Sequence, residues 1–206
     1  MQALKICGIR SAAFAALAAE AQVDYLGFVF APGSPRRVTP AEAAHIAAAL
    51  PRRTKRVGVF ALCPVADVLA AVRAAALDVV QLHDEAWSAD DALAVRAEGC
   101  EVWALAHGFP PPSGSAGAVA DAVLLDGRSG GVKGGTGRRA DWSLVAPLKA
   151  AGRRVVLAGG ISTENIADAA KTGADVIDVN SSLETAPGVK SPERLAALLS
   201  AWKPRR

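Results

Sequence analysis

Short apolar runs rich in β-branched residues alternate along the chain with longer stretches rich in Ala and Leu. Short apolar runs bounded by Gly, Pro, Asp or Asn are typical of strands that are buried on both faces. Eight such strands are predicted, at residues 3–9, 24–30, 55–61, 78–83, 101–106, 121–126, 154–159 and 175–180. The clearest helices are predicted between them, at residues 11–21, 40–50, 64–76, 88–98, 142–151, 162–172 and 191–201.

The predicted helices have recognisable starts and ends. Thr39 precedes Pro40 and is followed three residues later by Glu42, which is the pattern of a capping box with proline in the first turn. Several helices end on a glycine before the next strand, as at Gly99. The fifth helix is the weak one, because "PPPSGSAGAVA" at 110–120 supports a loop and at most one or two helical turns.

Strict alternation of strands and helices predicts a parallel sheet with helical crossovers, an α/β fold. Such a sheet can close into a barrel or stay open, and two flavodoxin-like halves are the open alternative. No linker rich in Gly, Pro or Ser divides the middle of the chain. We therefore expect residues 1–206 to form a single domain, a compact (β/α)8 TIM barrel with a weak or missing helix 5.

Composition narrows the classes of partner. The 206 residues are 51% hydrophobic and 21% charged, with a net charge of +3, which indicates a globular protein. That charge is too small to indicate nucleic-acid binding but suits a phosphorylated small molecule. No apolar run is long enough to cross a bilayer, so no membrane partner is expected. The sequence leaves monomer and homodimer both open.

The cysteines indicate a reducing compartment. Cys7, Cys63 and Cys100 are far apart and form no CxxC motif, so we expect neither a disulfide framework nor a metal site. This usage is consistent with a cytoplasmic protein. Residues 11–21 superficially resemble the apolar part of a signal peptide, but Glu20 and the strand pattern that follows fit a folded helix better.

Reactive side chains gather where predicted strands end. In a (β/α)8 barrel the functional face is formed by the carboxyl ends of the strands. Cys7 ends the first strand, His83 the fourth and Asp126 the sixth. A free cysteine is more often a buried hydrophobic residue than a reactive thiol, but its position at this rim, together with an imidazole and a carboxylate, favours a chemical role.

Three consecutive late loops have the composition of phosphate-binding loops. They are "GGVKGGTGRR" at 130–139, "LAGGIS" at 157–162 and "VNSSLE" at 179–184. Glycines let the backbone approach an anion, and helices that start near Ser162 and near Ser181 or Ser182 add the partial positive charge of their first turns. Barrels commonly bind phosphate in the loops after strands 7 and 8.

An ordered set of motifs gives the chain its resemblance to a known family. The motifs are "KICGIR", "GFVFAPGSPRRVTPAEA", "VGVF", "VQLHDE", "AVLLD", "GGTGRRADW", "LAGGISTENI" and "DVNSSLETAPGVKSPE". Together they resemble the phosphoribosylanthranilate isomerases of tryptophan biosynthesis, from the first strand to the last helix. The resemblance implies an Amadori rearrangement of a phosphoribosylated aromatic amine without a metal or an organic cofactor.

The resemblance also implies roles for individual residues. Cys7 matches the general base of the family, Asp126 its general acid, and Arg36 the arginine that holds the anthranilate carboxylate. The positions that match the phosphate cradle are Gly135, Gly159, Gly160 and Ser181, and those that face the substrate are His83 and Asp178. The family commonly has a glycine after "QLH", whereas Asp84 follows directly here, so the assignment of His83 is weaker.

The chemistry of the reaction fits one acid and one base on opposite sides of a sugar. Asp126 must carry a proton, so its pKa must be raised. The apolar residues before it favour desolvation as the cause of that increase. Cys7 must lose its proton, and the sequence does not identify what favours its thiolate. Lys5 is expected to lie too deep on the same strand face, whereas Gly8 is expected to leave room for the sugar.

Two alternative functions follow from the same fold. The chain could be another sugar-phosphate barrel isomerase or epimerase, or a non-catalytic barrel that binds a phosphoribosyl ligand. The first would need a carboxylate in place of Cys7 or a cluster of metal ligands, and the second does not require both Cys7 and Asp126. Other polar residues, Asp141 and Glu184, are expected to cap or brace loops.

Overall fold

The computed structural model describes residues 2–105, 110–127 and 140–202. Eight parallel strands pair in chain order, and β1 pairs with both β2 and β8, so the sheet closes into a barrel. The strands are β1 (Ala3–Ile6), β2 (Tyr25–Val29), β3 (Lys55–Phe60), β4 (Val79–Leu82), β5 (Glu101–Leu105), β6 (Ala122–Leu125), β7 (Val155–Leu157) and β8 (Val176–Val179). The predicted (β/α)8 barrel is confirmed, and the open sheet is excluded.

Helices follow the strands around the outside of the barrel. They are α1 (Ala12–Glu20), α2 (Pro40–Ala47), α3 (Val65–Ala75), α4 (Ala89–Ala97), α5 (Ala116–Val119), α6 (Val145–Ala150), α7 (Ile166–Lys171) and α8 (Pro192–Ala201). The fifth helix is a single turn, as the Pro- and Gly-rich sequence indicates. None of the helices in the described ranges is long and apolar enough to cross a membrane.

Local signals set most helix starts, with one exception. Thr39 and Glu42 form the predicted capping box at the start of α2. The start of α7 was predicted at residue 162, which is wrong, because the helix begins at Ile166 after Asn165. The Asn165 side chain accepts from the Ser162 backbone N–H and donates to the Gly160 carbonyl. These bonds hold the preceding residues in a turn and postpone the helix.

The segment after β8 contains structure too short to be predicted. A 3₁₀ turn at Ser181–Leu183 leads into a two-stranded antiparallel hairpin of β9 (Glu184–Ala186) and β10 (Val189–Lys190). Gly188, in the turn of the hairpin, has a φ of +83°, a region that favours glycine. A Cβ on Gly188 would also lie 2.8 Å from the Pro35 carbonyl oxygen, so the hairpin packs closely on the loop after β2.

Four aspartates connect neighbouring strands at the amino end of the barrel. Each precedes an even-numbered strand and accepts the backbone N–H of a residue at or near the start of the preceding odd-numbered strand. The pairs are Asp24 with Leu4 at 2.8 Å, Asp78 with Arg56 at 2.8 Å, Asp121 with Val102 at 2.8 Å and Asp175 with Val155 at 2.7 Å. These bonds fix the strand register where the barrel begins.

The barrel interior changes character from one end to the other. Near the amino end Tyr25 and Trp103 pack edge to face with ring centroids 5.0 Å apart, and Arg154 donates to the Tyr25 hydroxyl at 2.8 Å. A buried layer of Val, Leu and Ala side chains lies above them. At the carboxyl end the interior contains Cys7 beside Val29 and Val59. The Cys7 thiol therefore lies at the end of the barrel that is predicted to be functional.

Candidate active site

Cys7 lies where β1 ends and faces the barrel interior. Its backbone N–H donates to the Val179 carbonyl at 2.9 Å, and its side chain is 5% exposed. Gly27 on β2 makes room for the thiol, because a Cβ there would lie only 2.9 Å from Cys7 Sγ. The backbone of β8 thus holds Cys7 at the carboxyl-end rim, and the absence of a side chain on Gly27 of β2 leaves space for its thiol.

A buried ion pair lies one layer below Cys7. Lys5 and Asp178 are register partners on β1 and β8, and Lys5 Nζ donates to Asp178 Oδ2 at 2.6 Å. The Lys5 side chain is completely buried, and Asp178 is 6% exposed. Asp178 Oδ1 is also buried, and no atom in the described part of the chain hydrogen-bonds to it. One carboxylate oxygen is therefore bound to Lys5 while the other has a free acceptor site.

The environment of the Cys7 thiol contains charges of both signs. Burial raises the pKa of Cys7, as does Asp178, whereas Lys5 and Lys190 act to lower it. The charge of Lys5 therefore acts on Cys7 from the layer below, although Lys5 was expected to lie too deep for this. Burial acts to lower the pKa of Lys5, but Asp178 and Cys7 outweigh it and hold that pKa above its usual value. In the resting protein Cys7 is therefore a protonated thiol next to the positively charged Lys5.

His83 and Asp126 are in direct contact at the same rim. His83 Nε2 lies 3.1 Å from Asp126 Oδ2, and their side chains are 10% and 17% exposed. Gln81 Nε2 lies 2.9 Å from His83 Nδ1. With Gln81 as the donor, Nδ1 is an acceptor and the ring proton sits on Nε2, facing Asp126. The missing glycine after "QLH" has not moved His83 away from the predicted acid.

Sequence reasoning missed Gln81, although its signal was present. It is a polar residue in the otherwise apolar run "DVVQLH" and points inward with the same strand alternation as His83. Gln81 is 1% exposed, and its Oε1 has no hydrogen-bond partner among the residues that the structure describes. Burying an amide without a hydrogen bond costs free energy of folding. The bond of Gln81 to His83 offsets part of that cost and orients the imidazole ring.

Arg36 lies beside Cys7 but is already bound on one side. Its Nε donates to Glu184 Oε1 at 2.8 Å and its Nη2 to Glu184 Oε2 at 2.7 Å. Lys190 Nζ donates to the same Glu184 at 2.9 Å, and it also contacts Asn180. Glu184 was expected to brace a loop, and it does so by joining the hairpin to the loop after β2.

Gly8 adopts a φ of +76° directly after Cys7. A Cβ on this residue would lie 2.9 Å from Arg36 Cδ and 2.9 Å from Asn180 Oδ1. The residue was expected to leave room for a sugar, and the structure shows a different neighbour: the aliphatic part of Arg36 crosses over it. Gly8 therefore positions the guanidinium group near the thiol.

The predicted phosphate-binding residues lie after β7 and β8. Gly159 and Gly160 follow β7 with φ values of +82° and +67°. A Cβ on Gly159 would lie 2.5 Å from the Gly127 nitrogen and 2.9 Å from Asp126 Oδ1, so the loops after β6 and β7 touch. Ser181 opens the 3₁₀ turn after β8, as predicted. Gly135 lies outside the described residues.

The described residues also form a surface cleft away from this rim, but it is not a candidate active site. A surface cleft of about 530 Å³ at the amino end of β5 is lined by residues that include Arg96, Asp121 and Arg154. Arg96 donates to Asp121 at 2.5 Å and Arg154 is bound to Glu101, so the charges there are paired. Within residues 2–105, 110–127 and 140–202, no group of His, Cys, Asp and Glu side chains is arranged to hold a metal ion.

The chain is similar to known proteins over nearly its whole length. Residues 4–201 match the family model described as N-(5'phosphoribosyl)anthranilate (PRA) isomerase. A relative from Granulibacter bethesdensis named N-(5'-phosphoribosyl)anthranilate isomerase is 38% identical over 208 residues, covering 96% of each chain. The crystal structure of a Thermus thermophilus phosphoribosyl anthranilate isomerase is 37% identical with a TM-score of 0.83, covering 98% of each chain.

A third comparison concerns a solved complex. A phosphoribosyl anthranilate isomerase crystallised with reduced 1-(o-carboxyphenylamino)-1-deoxyribulose 5-phosphate is 28% identical, with a TM-score of 0.79 and 98% of each chain covered. The similarity thus covers nearly the full length of both chains.

Proposed function

Because this chain belongs to the N-(5'-phosphoribosyl)anthranilate isomerase family, we propose that residues 1–206 act as one catalytic domain that rearranges N-(5-phosphoribosyl)anthranilate to 1-(2-carboxyphenylamino)-1-deoxyribulose 5-phosphate. The observation that supports it most is the arrangement of two groups. Cys7 on β1 and Asp126 after β6 lie at the same rim, separated by the strands whose loops are proposed to bind phosphate. The reaction is an isomerisation, and proton transfers alone carry it.

The substrate is proposed to lie across the rim with its phosphate at Gly159, Gly160 and Ser181. Positive φ at the two glycines lets backbone N–H groups converge on an anion without a side chain in the way. Gly135 belongs to the same proposed cradle by its sequence position. Arg36 lies on the other side of Cys7 and binds the anthranilate carboxylate there.

The first chemical step opens the sugar ring. Asp126 donates a proton to the ring oxygen, the bond from that oxygen to the anomeric carbon breaks, and the amine lone pair forms a Schiff base. The contact of Asp126 with His83 at 3.1 Å holds the carboxyl group of the acid in place at the rim. His83 is therefore proposed to act on the substrate through Asp126 as well as from its own position.

The second step moves a proton from the sugar. To act as the base, Cys7 first releases its own proton to solvent, which the charges of Lys5 and Lys190 favour. The thiolate removes the proton on the carbon next to the Schiff base, the C–H pair forms the new carbon–carbon double bond, and the π pair of the Schiff base moves to the nitrogen to give an enolamine. Reprotonation of the former anomeric carbon and loss of the enol proton give the ketone. The free acceptor site on Asp178 Oδ1 suits a sugar hydroxyl beside this carbon, so Asp178 is proposed to orient it.

The fluorescence of the anthranilate substrate provides the test. The purified chain should consume the substrate, while Cys7→Ala and Asp126→Asn should lower kcat by at least about 10²-fold, the usual range for general acid–base groups. Cys63→Ala, half-buried in the loop before α3, and Asp168→Asn, exposed on α7, are matched controls outside the proposed site and should behave like the parent protein. An active Cys7→Ala variant would remove Cys7 as the base, and an inactive parent protein would refute the function.

Further parts of the proposal concern the surroundings of the protein. The expected partner is a phosphorylated small molecule, with no metal, organic cofactor, nucleic acid or membrane required by the chemistry. The three cysteines are free thiols, which supports a cytoplasmic location. The protein is proposed to act as a monomer or a homodimer, which sedimentation or size-exclusion chromatography distinguishes.

A further inference from the structure

The Arg36 guanidinium has two edges that can each bind a carboxylate. One edge consists of Nε and Nη2, and the other of Nη1 and Nη2. Glu184 occupies the first edge with bonds of 2.8 and 2.7 Å. No residue in the described ranges accepts a hydrogen bond from Nη1. The terminal edge is therefore available, on a side chain that is 19% exposed.

Glu184 is itself held in place. Lys190 Nζ donates to Glu184 Oε1 at 2.9 Å and to the backbone and side-chain oxygens of Asn180 at 2.9 and 2.8 Å. Glu184 and Lys190 are register partners in the hairpin, and both side chains are 3% exposed, against 19% for Arg36. Arg194 also donates to the Glu184 carbonyl. Arg36 and Lys190 thus hold the carboxylate, and Arg194 holds the backbone of the same residue.

The backbone around Arg36 is fixed by the same hairpin. The turn at Gly188 packs against the Pro35 carbonyl, and Arg10 Nη1 donates to that carbonyl at 3.3 Å. The stem of Arg36 crosses Gly8, next to Cys7. Both ends of the Arg36 side chain are therefore determined by neighbours, which leaves the direction of its terminal edge little freedom.

The charges of the group leave one positive charge unbalanced. Arg36 and Lys190 are cations and Glu184 is an anion. Burial acts to raise the pKa of Glu184, but hydrogen bonds from Arg36 and Lys190 outweigh it and hold that pKa below its usual value. A substrate carboxylate at the terminal edge of Arg36 would bring the group to neutrality. Lysine at position 36 could not do this, because it has no second planar edge.

We propose that Glu184, fixed by Lys190, is a positioning residue that presents the terminal edge of Arg36 to the carboxylate of the substrate and so determines specificity for a carboxylated aromatic amine. The proposal rests on the proposed function, in which Arg36 binds that carboxylate. In the proposed function Glu184 does not contact the reacting atoms of the substrate. Its effect is therefore confined to substrates that carry the carboxylate.

Two substrates separate this role from a purely structural one. One is N-(5-phosphoribosyl)anthranilate, and the other is the same phosphoribosyl amine made from aniline, which has no carboxylate. Glu184→Gln should lower kcat/KM for the first by about 10- to 100-fold, mainly through KM, as happens when a group that orients a binding residue is removed. For the aniline compound kcat/KM should change less than about threefold.

Controls make the comparison decisive. Glu20→Gln, at the exposed end of α1, removes the same charge far from the site and should change neither substrate. Glu184→Asp keeps the charge on a shorter side chain and should give an intermediate loss with the carboxylated substrate only. It also keeps the test usable if Glu184→Gln folds poorly.

Different failures have different signatures. If Glu184→Gln and Glu184→Asp lower kcat/KM for both substrates by the same factor, Glu184 only maintains the structure and the proposal is refuted, while the proposed function stands. If the parent protein handles both substrates equally well, Arg36 does not read the carboxylate. If the parent protein turns over neither substrate, the proposed function itself fails.

Discussion

Lys5 and Asp178 form an ion pair of 2.6 Å inside the barrel, directly below the Cys7 thiol. The two residues are 173 positions apart in sequence and become neighbours only because β1 and β8 close the sheet. Lys5 acts to lower the pKa of the Cys7 thiol and Asp178 acts to raise it, so the two neighbours have opposite effects. Removing the charge of one residue or of the other should therefore change the pKa of Cys7 in opposite directions.

Lys5→Met should raise the pKa of Cys7, and Asp178→Asn should lower it. The reason is that Lys5 stabilises the thiolate and Asp178 repels it. The pH dependence of iodoacetamide labelling, measured in a Cys63→Ser and Cys100→Ser background, reports on Cys7 alone. Lys5→Arg keeps the cation and serves as the control. Shifts of the same sign in both variants would contradict the proposed charges.

His83→Ala should lower kcat by about 10²-fold while KM changes little, because the imidazole is bonded to Asp126 and affects the acid step. Steady-state kinetics with the anthranilate substrate measure both constants. His45 is exposed on α2, so His45→Ala is the matched control. A raised KM with unchanged kcat would mean that His83 only binds the substrate.

Gly8→Ala and Gly33→Ala should both destabilise the protein, by about 1–3 kcal/mol each, because both residues have positive φ. Only Gly8→Ala should also raise KM, since its Cβ would collide with Arg36 Cδ at 2.9 Å, whereas a Cβ on Gly33 meets nothing within 4 Å. Chemical denaturation and kinetics measure the two effects. Equal KM values in the two variants would show that Gly8 has no role in placing Arg36.

The stabilising effect of Glu184 should depend on pH. Its pKa is lower in the folded protein than the ordinary value, so the ionised group stabilises the fold above its unfolded pKa. That contribution is lost as the pH falls through the lowered folded value. The difference in unfolding free energy between the parent protein and Glu184→Gln should therefore be largest near about pH 7 and shrink below about pH 5. A difference that is constant with pH would exclude an electrostatic origin.

The sequence predicted the barrel because its signals are local. Alternating runs, caps and glycines each specify one element, and the barrel follows from eight of them in a row. The rim residues Cys7, His83 and Asp126 were found for the same reason, since each ends a strand. Polar residues inside apolar strands, Lys5 and Gln81, carried a signal whose meaning depended on partners elsewhere in the barrel.

The remaining features depend on contacts that no local pattern encodes. The Arg36–Glu184 pair joins residues 148 positions apart, and the hairpin that holds it has strands of three and two residues. The later start of α7 depends on a competing turn made by Asn165. Such details are decided by tertiary packing and by side-chain competition for backbone groups.

The four aspartates at the amino end each connect two strands from the same half of the chain, whereas the proposed catalytic residues come from both halves. Asp24 and Asp78 connect strands within β1–β4, and Asp121 and Asp175 connect strands within β5–β8, so each half of the chain carries two complete connections of its own. The proposed base, Cys7, lies in one half and the proposed acid, Asp126, in the other. Two separately made halves could therefore each retain their own strand pairing, yet turnover would arise only on their reassembly.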